Sequence, residues 1–157
     1  MKPKWWNKSR SYLIKKDKVI SKLIRSYKGH LTTRNNFFYS LTRSIISQQI
    51  SVAAADSVFS KFEKKCKNKI NPKTVQKLSI QDLKKCGLSK MKAIGIKSLA
   101  QKILDKSFNP KLIKKMTDEE AIIYLSSLRQ IGRWSAEMVL IFFYNRPNIW
   151  PVQDIGL

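Results

Sequence analysis

Capping residues stand directly in front of apolar stretches along most of this chain, and almost nothing alternates apolar and polar residues as a strand does. The fold class that follows is all-α. A first helix is expected through Tyr12, Leu13, Val19, Ile20, Leu23, Ile24 and Tyr27, with Gly29 placed to stop it and a lysine-rich face in solvent. A second covers Phe37, Phe38, Leu41, Ile45 and Ile46. Ser51 caps a third, where Ala53, Ala54 and Ala55 permit close helix contact. Asn71-Pro72 and Asn109-Pro110 each pair a cap with a proline suited to the first helical position, so each opens a short helix. Ser79 with Asp82 opens another, ended at Gly87. A longer basic helix runs through Met91, Ile94, Ile96, Leu99, Ile103 and Leu104, which Gly95 weakens only modestly. Thr117 and Glu120 form a capping box for a helix from Ala121 to Leu128. Residues 129–133, Arg-Gln-Ile-Gly-Arg, then leave room only for a tight turn before an apolar helix from Trp134 to Tyr144. Residues 146–151 hold two prolines and cannot be helical throughout, and Asp154 lies where a new helix would begin.

A chain of 157 residues fits one domain, taken here as 1–157, and is long enough to bury a core. The unusual quantity is charge. Thirty-two Lys and Arg against 10 Asp and Glu give a formal +22. Part of that excess is open to a codon-usage explanation, but a polyanion is the natural partner and nucleic acid the first candidate. Cys66 and Cys86 are too few for a disulfide framework or a clustered metal site, and His30 is the only histidine. A reducing cytoplasm is the expected compartment and a monomer the expected state. The N-terminus lacks the apolar core of a signal peptide, and the longest apolar run, Val139 to Tyr144, is too short to span a bilayer, so no membrane partner is expected.

A helix, a glycine-containing hairpin and a second helix can aim successive backbone N–H groups at an anion, where the helix dipole adds its attraction. A DNA phosphate suits such a place. Gly132 would let the backbone approach closely, Ser135 would add a hydroxyl, and surrounding Lys and Arg the salt-sensitive attraction. Local physics alone slightly favours an ordinary helical hairpin whose glycine merely makes the turn.

Residues 128–138, Leu-Arg-Gln-Ile-Gly-Arg-Trp-Ser-Ala-Glu-Met, followed by residues 146–157 with Asp154, resemble the hairpin and catalytic-aspartate signature of 3-methyladenine DNA glycosylase II, of the helix-hairpin-helix superfamily. Residues 45–55, Ile-Ile-Ser-Gln-Gln-Ile-Ser-Val-Ala-Ala-Ala, are similar to the segment by which that family approaches the opened duplex. Gly87-Leu88-Ser89, Lys92 and Leu99-Ala100 resemble its intervening helices. The matches run in order from Phe37 to Leu157. In two respects the chain departs from the pattern. The first hairpin glycine is replaced by Gln130, and family members continue for several helices past the aspartate, so the C-terminal closing helices are expected to be missing here.

The resemblance implies a monofunctional enzyme that hydrolyses the N-glycosidic bond of alkylated purines in double-stranded DNA. The alternative is a helix-hairpin-helix DNA-binding module with impaired catalysis. Asp154 would be the catalytic carboxylate, stabilising an oxocarbenium-like sugar or activating water, with a plain helix cap as its bland alternative. Trp134 stands where members with lyase activity carry a lysine, and tryptophan forms no Schiff base. Its ring would line the base pocket with Tyr39 and Trp150, stacking on an electron-poor base for about 0.5 to 2 kcal/mol, unless it is simply core. Gln48 and Gln49 fall in the segment that fills the gap left by a flipped nucleotide, or else are helix caps. Gln130, Gly132, Arg133 and Ser135 would contact DNA, although Arg133 and Glu137 also have the spacing of a surface ion pair. No redox cofactor is expected, since the superfamily's iron–sulphur branch needs four cysteines. A monovalent cation bridging the hairpin carbonyls to phosphate is the one ion the resemblance suggests.

Overall fold

The computed structural model describes residues 2–154 and is helical throughout, with no strand among them. Two long apolar helices organise it. α3, Phe37–Ser47, is buried at Phe37, Phe38, Leu41, Ile45 and Ile46 and also at Ser40, Thr42 and Ser44. A helix buried on nearly every side belongs in the middle, and α3 packs on α4 (Val52–Lys65), α7 (Lys90–Leu104) and α9 (Arg133–Phe142). α7 in turn carries α5 (Pro72–Gln76) and α6 (Ile80–Lys85), while α8 (Asp118–Ser126) lies along α9. Leu41, Ile45, Phe62, Leu83, Ile96, Ile113, Leu125 and Leu140 are fully enclosed.

The capping chemistry read from the sequence operates as expected at most starts. Ser51, Asn71, Ser79, Ser89 and Thr117 all accept backbone N–H bonds, and the Ser79/Asp82 and Thr117/Glu120 boxes are closed in both directions. Asn109-Pro110 opens a 3-10 segment, Pro110–Lys115, rather than an α-helix. Cys66 and Cys86 are free thiols inside the core, and burial pushes the Cys66 thiol up to about 11. Among the described residues no helix is long and apolar enough to cross a membrane, and no group of three metal-binding side chains occurs.

Two expectations are corrected. The long first helix is two, α1 (Trp6–Lys16) and α2 (Lys18–Ser26), broken at Asp17. Its carboxylate accepts from the N–H groups of Val19 and Ile20 at 2.8 and 2.9 Å, and this local bond competes successfully with helix continuation. α2 ends at extended Tyr27, before Gly29, and Tyr12, Val19, Leu23 and Tyr27 are exposed rather than buried. Extensive contacts of this pair are with each other, and Trp5 anchors it by donating to the Asn145 carbonyl at 2.6 Å. In α4, Ala53 and Ala54 face solvent, and only Ala55 of the alanine run is buried. The close helix contact lies elsewhere, at Gly95.

Gly95 is buried in the middle of α7, and a Cβ there would stand 2.7 Å from Gln130 Cγ, 3.0 Å from Gln130 Cβ and 3.4 Å from the Arg129 carbonyl oxygen. Its missing methyl is what lets the turn between α8 and α9 sit on α7. We expect Gly95→Ala to lose about 1–2 kcal/mol in urea denaturation, overpacking outweighing the gain in helix propensity. Adding Gln130→Gly removes the obstructing atoms and restores most of the loss.

Candidate active site

The site grows from the turn of residues 129–133. Gln130 adopts the left-handed conformation, φ +67°, which side chains other than glycine seldom take. The chain then extends through Gly132 (φ −89°, ψ 179°), where α9 begins with no side-chain cap. Gly132 is exposed and a Cβ there would meet nothing within 4 Å, so its surroundings are open to an approaching molecule. The first N–H groups of α9 keep the positive end of its dipole there.

Gln48 follows the last residue of α3, and its side-chain amide donates to the Gln130 carbonyl at 2.7 Å and to Ser135 Oγ at 2.9 Å. The same region is gripped from beneath by Lys92 of α7, whose Nζ donates to the carbonyls of Ile46 and Gln48 at 2.9 and 2.6 Å. Lys92 therefore satisfies the end of α3 as a C-terminal cation should, and desolvation lowers its pKa. Held this way, the chain turns out at Gln49, exposed and left-handed at φ 56°, followed by Ile50 at 40% exposure.

In the first turn of α9, the Trp134 indole N–H donates to Asp154 Oδ2 at 3.0 Å. Asp154 is half-buried, and its backbone N–H closes a turn on the Pro151 carbonyl at 2.9 Å. Trp134 also lines a cavity of about 170 Å³ between α3 and α9, together with Ser44, Ser47, Phe142, Arg34 and Arg43.

The order of these features matches known proteins. Residues 42–157 match the model of the HhH-GPD superfamily base excision DNA repair proteins. The chain belongs to this superfamily. Among relatives, the alkylbase DNA glycosidase-like protein mag2 of Schizosaccharomyces pombe is 34% identical over 124 residues, covering 76% of this chain and 58% of mag2. DNA-3-methyladenine glycosylase 1 of the same yeast is 28% identical over 144 residues, covering 89% of this chain and 63% of that protein. The chain thus spans about three-fifths of the length of both. The structure of the yeast 3-methyladenine DNA glycosylase Mag1 in complex with abasic DNA superposes with a TM-score of 0.80 at 25% identity, over 95% of this chain and 76% of that one.

Several residues expected to share the HhH-GPD site are placed apart from it. Ser135 is buried, its hydroxyl accepting from Gln48, so it braces the turn from inside and offers nothing to a phosphate. Arg133 is committed to carboxylates, bidentate to Glu119 at 2.7 and 2.8 Å and bonded through Nε to Glu137 at 3.1 Å. Its charge is neutralised locally rather than presented to DNA; the expected ion pair exists, but Glu137 is buried rather than on the surface. Tyr39 packs edge-on against Phe59 at 5.1 Å and lines a neighbouring cleft that shares Arg34, Ser40 and Arg43 with the cavity beside Trp134, and Trp150 is 71% exposed and lines neither. Ile155, Gly156 and Leu157, part of the signature, lie outside the described residues. Sequence reading missed Arg34, Lys92's capping of α3 and the seat at Gly95, none of which has a local sequence signal.

Gln48→Leu keeps the volume and removes both bonds, leaving the Gln130 carbonyl without its donor. We expect a loss of about 1–3 kcal/mol in urea denaturation and faster amide exchange across residues 129–135.

Proposed function

We propose that this chain is the catalytic part of a monofunctional DNA glycosylase, acting as a monomer on double-stranded DNA and hydrolysing the N-glycosidic bond of alkylated purines to leave an abasic site. The observation that carries the reading is the Asp154 carboxylate bonded to Trp134 in the first turn of α9, a helix that begins at exposed Gly132 with no side-chain cap. The names of the yeast relatives point the same way.

A glycosidic carbon is unreachable within stacked duplex, so the nucleotide must be extruded at a cost of a few kcal/mol, about what one or two good contacts return. Gln49 is the residue set to occupy the gap, because Gln48 is held inward while Gln49 projects. The formal +22 supplies attraction to phosphates, and the start of α9 at Gly132 a fixed point of contact. With the sugar beside Asp154, the carboxylate stabilises positive charge as the C1′–N bond breaks and its electron pair leaves with the base. An alkylated purine that was cationic departs neutral. Water then forms the new C1′–O bond and gives its proton to the Asp154 carboxylate. Trp134 offers no amine to attack the sugar, so the reaction ends at the abasic site.

The indole N–H has a further consequence. By fixing one carboxylate oxygen it limits the orientations Asp154 samples.

On duplexes bearing one methylated purine, Asp154→Asn is expected to lower base release at least a hundredfold while duplex affinity stays within about threefold. Free base is read by chromatography and binding by anisotropy. Equal release by both proteins removes Asp154 from the chemistry, and binding without release by the unaltered chain leaves only a DNA-binding module. Trp134→Phe, which keeps a ring but loses the N–H, should slow release about tenfold with duplex affinity unchanged. Undiminished release would mean that the indole N–H does not serve the carboxylate.

A further inference from the structure

The cavity beside Trp134 has two unlike walls. On α9, Trp134, Met138 and Phe142 stand four residues apart and share one face, two rings and a thioether. On α3, Ser40, Ser44 and Ser47 share another, so hydroxyls look across at the apolar row. Two of those hydroxyls are already committed. Ser40 Oγ donates to the Asn36 carbonyl at 2.8 Å, and Ser47 Oγ to the Ser44 carbonyl at 3.1 Å. A serine hydroxyl has a single hydrogen and a carbonyl can only accept, so in both residues that hydrogen is used within the helix. What Ser40 and Ser47 can offer the cavity is lone pairs alone. Because Trp134 also holds Asp154, a sugar placed beside the carboxylate brings its base to this cavity.

A wall of acceptors ranks bases by what they carry at C6. An exocyclic amino group gives its hydrogens to the serine oxygens, and a positive charge on the alkylated ring makes it a stronger donor. A carbonyl oxygen at C6 sets acceptor against acceptor and leaves both sides unpaired out of bulk water. Building on the glycosylase reading, we propose that Ser40 and Ser47 are specificity-determining residues that make the cavity favour alkylated adenines, with an amino group at C6, over alkylated purines with a carbonyl oxygen there. Arg34 and Arg43 also reach the cavity and could serve a carbonyl, but each is engaged elsewhere. Arg43 is paired with Asp56 at 2.6 Å and lies over the Phe59 ring at 4.9 Å, and Arg34 lies over the Phe142 ring at 5.5 Å. Asp154 acts on the sugar in either case, so the carboxylate sets the rate and the serines rank the bases.

The test follows 3-methyladenine and 7-methylguanine released from the same methylated DNA in single turnover. Both are cationic in the duplex, so charge does not separate them. Their intrinsic labilities differ, and the informative quantity is the change in the rate ratio between proteins. Ser40→Ala/Ser47→Ala should lower the ratio of 3-methyladenine to 7-methylguanine release about tenfold. Ser47→Cys keeps the size but puts a weak acceptor in place of a good one, and should lower it about threefold, as Ser47→Ala does. An unchanged ratio in the double variant, with its melting temperature unaltered, overturns the proposal. A readout free of chemistry is the affinity for the free bases 3-methyladenine and 3-methylhypoxanthine, which differ at C6, measured by NMR titration. The unaltered chain should bind 3-methyladenine more tightly, and the double variant should bind the two alike. Tighter binding of 3-methylhypoxanthine by the unaltered chain also overturns the proposal, being the order expected if the arginines rank the bases. If the unaltered chain releases neither base from DNA, the glycosylase reading fails. The free-base affinities then decide alone: a preference for 3-methyladenine that disappears in the double variant upholds the acceptor wall, and its absence removes it.

Discussion

Gln48 donates from one amide nitrogen to the Gln130 carbonyl and the Ser135 hydroxyl, joining segments 82 and 87 residues apart in sequence. Around that joint the other constraints interlock. Lys92 reaches from α7 to hold the carbonyls of Ile46 and Gln48, and Gly95, one turn further along α7, leaves the space that Gln130 occupies. A single helix therefore fixes both partners of the joint, the end of α3 from one residue and the turn from another. Gln49 and Gln130 each hold a left-handed backbone at a cost of about 1–2 kcal/mol. The contacts around them supply compensation of that order, and so a turn lacking its usual glycine still forms.

Charge is distributed with a similar economy. Of the few acidic residues, Asp17, Asp82 and Glu120 cap helices, Asp118 binds Arg146, and Glu119 with Glu137 enclose Arg133. Of these carboxylates only Asp82 also pairs with a lysine, Lys65 at 2.8 Å, among the described residues, and the lysines mostly lie on the solvated faces of the helices. The net positive field is thus left for a partner, and it is sequence-independent by construction. Asp154 differs from these other acids in that its donor is a side-chain indole, Trp134, rather than the start of a helix or an arginine.

The sequence made the helices legible where a cap and an apolar period agreed, as at Ser51, Asn71, Ser79 and Thr117. It misled at Asp17, because an apolar period running through Tyr12 to Tyr27 hid a residue able to cap its own new helix. The site was half legible. Family resemblance singled out Trp134, Asp154, Gln48 and Gln49, but the bond between Trp134 and Asp154 and the left-handed backbone at Gln49 are findings of the structure alone. Ser135, Arg133 and Trp150 were misplaced for one reason: motif spacing says which residues are near the turn but not which way each faces. Ser135 points into the joint, Arg133 finds Glu119 on the preceding helix, and Trp150 sits in a loop with most of its side chain in solvent. Gly95 shows the converse, since a glycine that looked like a weakness in α7 proves to be a seat for a distant turn.

The field of the lysines and the bond that orients Asp154 act over different distances. Attraction between exposed lysines and phosphates spans many ångströms and falls steeply as salt shortens the screening length to about 8–10 Å near physiological strength. The bond between the Trp134 indole N–H and Asp154, at 3.0 Å, acts over hydrogen-bonding distance instead, where mobile ions have small effect. Salt therefore acts on the field of the lysines and leaves the orientation of the carboxylate nearly unchanged.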